Sequence, residues 1–155
     1  PALCSSIFQS MHTTAVFPGS FNPFTIGHKS IVVRALGIFD RVVVAVGHNI
    51  DKPGDDTARR IEAIRRAFRD NSRVEVTSYS GLTAEFVKRI EASTILRGVR
   101  NIADFEYERN LADVNKEILG VETVLMFSLP EYSYISSSMV RELAANGHDV
   151  SSLLP

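Results

Sequence analysis

The 155-residue chain has no tryptophan, one cysteine and a formal net charge of only −1. Each shortage excludes something. Cys4 alone cannot close an internal disulfide, which argues against a disulfide-stapled secreted domain and for a reducing, cytoplasmic setting. Seventeen basic residues against eighteen acidic ones leave no excess of one sign, so nucleic acid is not expected as the main partner. No apolar run approaches the roughly 18 residues that a membrane span needs, so no membrane partner is expected either. With 45% hydrophobic and 23% charged residues the composition is globular rather than disordered or collagenous. A chain of this length suits one domain with its own core.

Residues 1–12 read as a disordered amino-terminal extension, with no usable hydrophobic period and neither the basic start nor the apolar stretch of a secretory signal. Cys4 lies inside it and reads as an idle thiol, not a nucleophile. Residues 13–155 read as the functional domain.

There, short β-branched runs alternate with longer amphipathic stretches. Thr13–Phe17, Val42–Val46, Arg73–Thr77, Thr94–Leu96 and Val121–Phe127 read as strands. Between and after them, Gly27–Phe39, Thr57–Phe68, Leu82–Ile90, Asp104–Ile118 and Ser136–Ala145 read as helices. Ile31, Val32, Ala35 and Ile38 form the expected inner face of the first helix; Ile61, Ile64, Ala67 and Phe68 form that of the second. Val42–Val46 is apolar throughout, as in a strand buried on both faces. The alternation predicts an α/β fold: a single-domain, Rossmann-like, parallel five-stranded sheet with helices on both faces. Ligands of such sheets sit beyond the carboxyl ends of the strands.

The chemistry-bearing segments fall at those ends. After the first strand comes Pro18-Gly19-Ser20-Phe21-Asn22-Pro23-Phe24-Thr25-Ile26-Gly27-His28. Gly19 permits a tight turn, and Thr25 can cap the following helix, placing Gly27 and His28 in its first turn. Free N–H groups and the positive dipole end make that turn an anion site, to which His28 can add a charge or a hydrogen bond and Ser20 a hydroxyl. Arg97 and Arg100, with Gly98 between them, suit a polyphosphate, because guanidinium groups fork onto its oxygens. Asp104 reads as a carboxylate stabilising a helix start, and Glu108 as a residue near the nucleotide. Ser136, Ser137 and Ser138 are poor helix formers but good caps, and can build a second anion cradle. Lys52 stands in a loop just past the second strand, where it can meet phosphate. No His/Cys/carboxylate cluster suggests a protein-built metal site.

Gly19-Ser20-Phe21-Asn22-Pro23 followed by Thr25-Ile26-Gly27-His28 resembles the (H/T)-x-G-H signature of the nucleotidyltransferase superfamily. Arg97-Gly98-Val99-Arg100 running into Asp104-Phe105-Glu106-Tyr107-Glu108, and Ile135-Ser136-Ser137-Ser138 running to Val140-Arg141-Glu142, narrow the resemblance to phosphopantetheine adenylyltransferases. It covers nearly all of Thr13 to Pro155. It implies transfer of the adenylyl group of ATP to 4′-phosphopantetheine, giving dephospho-coenzyme A and pyrophosphate. By the same resemblance, His28, Ser20, Lys52 and Arg100 would be catalytic. ATP would be held by Ser20, Phe21, His28, Gly98, Val99, Arg100, Glu108 and the run Tyr132, Ser133, Tyr134, Ile135, Ser136, Ser137 and Ser138. The acceptor would be held by Ser20, Lys52, Leu82, Thr83 and Arg97. Magnesium would travel on ATP, held mainly by phosphate and water. The resemblance further implies a homohexamer and feedback binding of coenzyme A.

Two features depart from the family pattern. Asn22 stands where the family usually carries Asp, and the family usually continues into another helix past the position of Leu153-Leu154-Pro155. The rival readings are a nicotinate or nicotinamide mononucleotide adenylyltransferase, which would resemble H-x-G-H where this chain has Thr25, and a nucleotide-binding sensor without turnover. The latter would have no use for a second phosphate site at Lys52 and Arg97.

Overall fold

A computed structural model describes residues 12–48 and 54–155. Residues 1–11, and with them Cys4 and most of the expected extension, lie outside the described residues, as does Lys52. Five parallel strands form one sheet: β1 (Thr14–Gly19), β2 (Arg41–Gly47), β3 (Val74–Tyr79), β4 (Thr94–Val99) and β5 (Thr123–Phe127), in the spatial order β3-β2-β1-β4-β5. Five helices alternate with them: α1 (Ile26–Ala35), α2 (Thr57–Ala67), α3 (Thr83–Arg89), α4 (Ile102–Leu119) and α5 (Ser137–Ala145).

The pleat sorts the core into two layers, because successive side chains of a strand point to opposite faces. Ala15, Phe17, Val42, Val44 and Val46 pack with Ile31 and Val32 of α1, Ile64 of α2 and Phe68 just past its end. Val16, Val43 and Ala45 pack on the other face with Ala84, Phe86 and Val87 from α3 and with Val121 beyond α4. Covered on both sides, β2 is buried from Val42 to Val46, as its continuous apolar run requires. Phe39 and Phe68 are both core residues.

The chain lays β1, β2 and β3 outward in one direction and then returns to place β4 on the other side of β1. The order therefore reverses between β1 and β4, and the crevice beyond their carboxyl ends is where a fold of this kind receives its ligand.

Two expectations change. α1 ends at Ala35, and i→i+3 bonds from Gly37 to Arg34 and from Ile38 to Ala35 tighten the chain out of the helix. Ile38 is rotated away from the core and is 64% exposed. β4 continues to Val99, with Arg97, Gly98 and Val99 paired to Leu125, Met126 and Phe127 of β5. Arg97 thus stands on the strand itself. Among the described residues no helix is long and apolar enough to cross a membrane.

Candidate active site

An open cavity of about 450 Å³ occupies the crevice at the β1/β4 switch point. Its floor is the end of β1 and the following loop, Pro18 to Phe21. One wall is the first turn of α1 with Gly27 and His28; another is Arg97 and Gly98 of β4 with Arg100, Asp104 and Glu108; the roof is Tyr132, Ile135, Ser136, Ser137, Ser138 and Arg141.

Thr25 caps α1, and the cap is reciprocal. The His28 N–H donates to Thr25 Oγ1 at 3.3 Å, while the Thr25 N–H donates to His28 Nδ1 at 3.0 Å. A backbone N–H can only donate, so Nδ1 must accept, and the proton of the neutral ring lies on Nε2. The ring is packed among three phenylalanines: Phe21 edge-on with centroids 5.2 Å apart, Phe24 at 5.3 Å and Phe17 at 6.2 Å. Burial among these rings, and then the positive charges of Arg100 and Arg97, push the His28 pKa down from 6.5 to about 4. At neutral pH the first turn of α1 therefore presents an uncharged Nε2–H donor, which narrows the expected choice of a charge or a hydrogen bond to the latter.

Phe21 reaches this packing by folding back over Gly19 at a φ of +46°. A Cβ added to Gly19 would stand 2.9 Å from the Phe21 ring, so the glycine is required by this stacking as much as by any ligand. The Asn22–Pro23 bond is cis. α5 braces the loop from above: Ser137 Oγ donates to the Pro23 carbonyl at 2.8 Å, and Arg141 Nη1 donates to the Asn22 carbonyl.

The two arginines are each gripped by a carboxylate. Glu108, 5% exposed, takes a bidentate pair from Arg97 through Nε (2.9 Å) and Nη2 (2.7 Å), and Arg97 Nη1 donates to the Pro18 carbonyl at 2.6 Å. Asp104 accepts from Arg100 Nε at 2.9 Å and Nη2 at 3.2 Å, as well as from the Arg100 N–H. Desolvation works to raise the Asp104 pKa, but the hydrogen bonds and charge of Arg100 leave it below the ordinary carboxylate value. Asp104 is thus more than a helix-start charge: it orients a guanidinium. Three of the five Arg97 N–H groups are engaged, which leaves two for a ligand.

Ser20, Phe21, His28, Arg97, Gly98, Arg100, Glu108, Tyr132, Ile135 and the three serines all line this one cavity. One of the serines is the expected cap and a second is engaged by the first loop. Ser136 Oγ accepts from the Met139 N–H as the α5 cap, and Ser137 is held by Pro23. Val99 is buried just behind the wall, Ser133 turns back to the Pro130 carbonyl, and Tyr134 is exposed; none of the three lines the cavity. Leu82 and Thr83 also stand outside it, at the start of α3, where Thr83 Oγ1 is 2.8 Å from the Tyr79 hydroxyl. Gly98 serves packing as well, since a Cβ there would meet Ile31 at 3.3 Å. Arg141 was missing from the expected set. It lines the roof and pairs with no carboxylate among the described residues; its only signal in the sequence was its position three residues after the serine run. Among the described residues no three His, Cys, Asp or Glu side chains come together as a metal cage.

Residues 16–143 match the model of the cytidylyltransferase-like family. A phosphopantetheine adenylyltransferase of Phocaeicola vulgatus is 48% identical over 142 residues, which span 91% of this chain and 94% of that protein. The enzyme of that name in Porphyromonas gingivalis is 49% identical over 142 residues, 91% of this chain and 93% of its own. The chain belongs to the phosphopantetheine adenylyltransferase family. The fold is shared more widely among nucleotidyltransferases. A bifunctional NMN adenylyltransferase/ADP ribose pyrophosphatase of Francisella tularensis superposes with a TM-score of 0.68 at 15% identity, over 93% of this chain and 45% of that one. A candidate nicotinate-nucleotide adenylyltransferase of Vibrio parahaemolyticus gives 0.63 at 24% identity, over 93% and 94%. At such identities these two structures speak for the fold, and the family relatives carry the finer relationship.

Proposed function

We propose that this chain transfers the adenylyl group of MgATP to 4′-phosphopantetheine, releasing pyrophosphate and forming dephospho-coenzyme A. The observation that carries the reading is the convergence, at one switch-point cavity of a chain in this family, of a neutral imidazole donor, three guanidiniums and the capped N-termini of α1 and α5.

In the reaction an oxygen of the acceptor phosphate attacks the α-phosphorus of ATP, the bond from that phosphorus to the bridging oxygen breaks, and pyrophosphate leaves. The attacking phosphate is already anionic at neutral pH and needs no general base. What opposes the reaction is repulsion between two anions and charge gathering on the α-phosphoryl oxygens, so positioning and electrostatics do the catalysis. His28 Nε2–H donates to an α-phosphoryl oxygen as charge develops there. Arg100 and Arg141 hold the triphosphate with the α5 N-terminus, while Ser20, Lys52 and Arg97 hold the acceptor phosphate. Gly98, Glu108, Tyr132, Ile135 and the three serines form the nucleotide side of the cavity, and Leu82 and Thr83, outside it, flank the pantetheine arm. Asp104 and Glu108 are both committed to arginines, so magnesium enters as part of the nucleotide substrate, held by phosphate oxygens and water. Coenzyme A shares both the pantetheine arm and the adenylyl group of the product, so it competes for the same cavity.

We further propose self-association, up to the hexamer of the family. Tyr107, Leu111, Val114 and Ile118 make an exposed apolar stripe along α4, at a spacing that suits helix packing against another copy.

Pyrophosphate release on mixing MgATP with each candidate acceptor tests the function. Release with phosphopantetheine is expected. Release only with nicotinate or nicotinamide mononucleotide, or with no acceptor, would overturn the reading.

A further inference from the structure

Outside the cavity a second polar cluster joins the start of α2 to the first loop. Arg60, only 14% exposed in its side chain, stands at its centre. Its Nε donates to Asp56 Oδ1 at 2.9 Å, and its Nη2 donates to Asp55 Oδ1 at 2.8 Å and to Thr57 Oγ1 at 3.0 Å. Its Nη1 reaches across to the carbonyl of Ser20. Asp55, 13% exposed, also accepts from the Thr57 N–H at 3.0 Å and from the Thr57 hydroxyl at 2.5 Å, and its Oδ2 faces Nδ1 of His48 just past the end of β2. The Thr57 hydroxyl, and after it the Thr57 N–H, His48 and Arg60, hold the Asp55 carboxyl down to about 2, so it stays charged throughout the working pH range.

The cluster has more donors and acceptors than capping α2 requires. One guanidinium edge grips the helix start through two carboxylates, and the remaining nitrogen fixes a carbonyl in the loop that carries Ser20. A guanidinium so clamped is a rigid strut, because its planar fork leaves little freedom once two edges are bound. The geometry points to Arg60 as a positioning residue for the transfer reaction: braced by Asp55 and Asp56, it fixes the Ser20 segment of the cavity floor against the pull of the incoming acceptor phosphate. The inference rests on the proposed reaction, in which Ser20 holds that phosphate, and it assigns to α2 a part in catalysis without contact with either substrate.

The test is a double-mutant cycle in steady-state kinetics of pyrophosphate release, on Arg60→Ala, Ser20→Ala and the pair, with Arg60→Lys as the conservative variant. Arg60→Ala is expected to raise the acceptor KM about tenfold, the scale of one hydrogen bond to a charged group, and to leave the KM for MgATP within about threefold. In the Ser20→Ala background the same substitution should change the acceptor KM by less than about threefold, because its effect is relayed through Ser20. Arg60→Lys should recover part of the loss, since an ammonium can still donate to the Ser20 carbonyl. Additive effects of the two alanine substitutions, equal changes in both KM values, or a lower melting temperature with unchanged kinetic constants would overturn the inference. So would failure of Arg60→Lys to recover any activity where Arg60→Ala does not fold. An inactive wild-type chain would instead overturn the proposed reaction, which keeps the two failures apart.

Discussion

Acidification should destabilise this fold through His28 before it protonates the carboxylates whose pKa values are shifted. The folded pKa of about 4 lies below the 6.5 of the unfolded chain, so between these values the unfolded state binds the extra proton and stability rises with pH. The full 2.5-unit difference corresponds to about 3 kcal/mol at 1.36 kcal/mol per unit. Between pH 7 and pH 5 about 2 kcal/mol of it is lost, because at pH 5 the unfolded imidazole is mostly charged while the folded one is still mostly neutral. Asp40, Asp55, Asp104 and Asp149 all have lowered pKa values, so their contributions are present above the ordinary carboxylate value and are lost only as the pH falls below it. The window from pH 7 to 5 therefore lies above the range in which these carboxylates lose their contribution, and comparison with a His28 variant assigns the effect to that ring. Urea denaturation across this range, compared between the wild-type chain and His28→Gln, reads the effect directly. The wild-type midpoint should fall with acidification by an amount equivalent to about 2 kcal/mol more than that of the variant. Parallel curves for the two proteins would refute the neutral, desolvated imidazole.

Three further outcomes follow from the site. His28→Ala should lower kcat by roughly 10²–10³-fold, the scale of removing one transition-state donor, while calorimetry finds MgATP binding largely intact. Arg97→Ala should weaken phosphopantetheine more than MgATP in titrations of each ligand, and equal losses would contradict its place on the acceptor side. Asn22 is exposed and contributes its backbone carbonyl to Arg141, so Asn22→Asp should leave kcat within about twofold; a large change in either direction would show that the side chain acts in catalysis.

Much of the site was legible because local chemistry fixes it. Thr25 before an amphipathic run is a cap, Val42–Val46 is a strand with two covered faces, and glycine, proline and arginine at strand ends mark the ligand side of a parallel sheet. What escaped the sequence depends on distant partners. The neutrality of His28 needs three phenylalanine rings gathered by the backward turn at Phe21 and two arginines at and just past the end of β4. Ser136 caps α5 as its type and place suggest, but that the first loop takes the Ser137 hydroxyl could not be read locally, since Pro23 is 114 residues away. Nothing local reveals that Arg60 and Arg141 each reach a carbonyl of the first loop, 40 and 119 residues away in the chain. Ile38 fitted the helical period, but the helix had already ended.

The central claim is that one cavity aligns two phosphates for a single direct displacement, with no adenylylated enzyme between them. The stereochemical course at the α-phosphorus tests it most directly, using MgATP carrying a chiral α-phosphorothioate and phosphopantetheine as acceptor. One in-line displacement predicts inversion of configuration in the dephospho-coenzyme A product, and retention would contradict it.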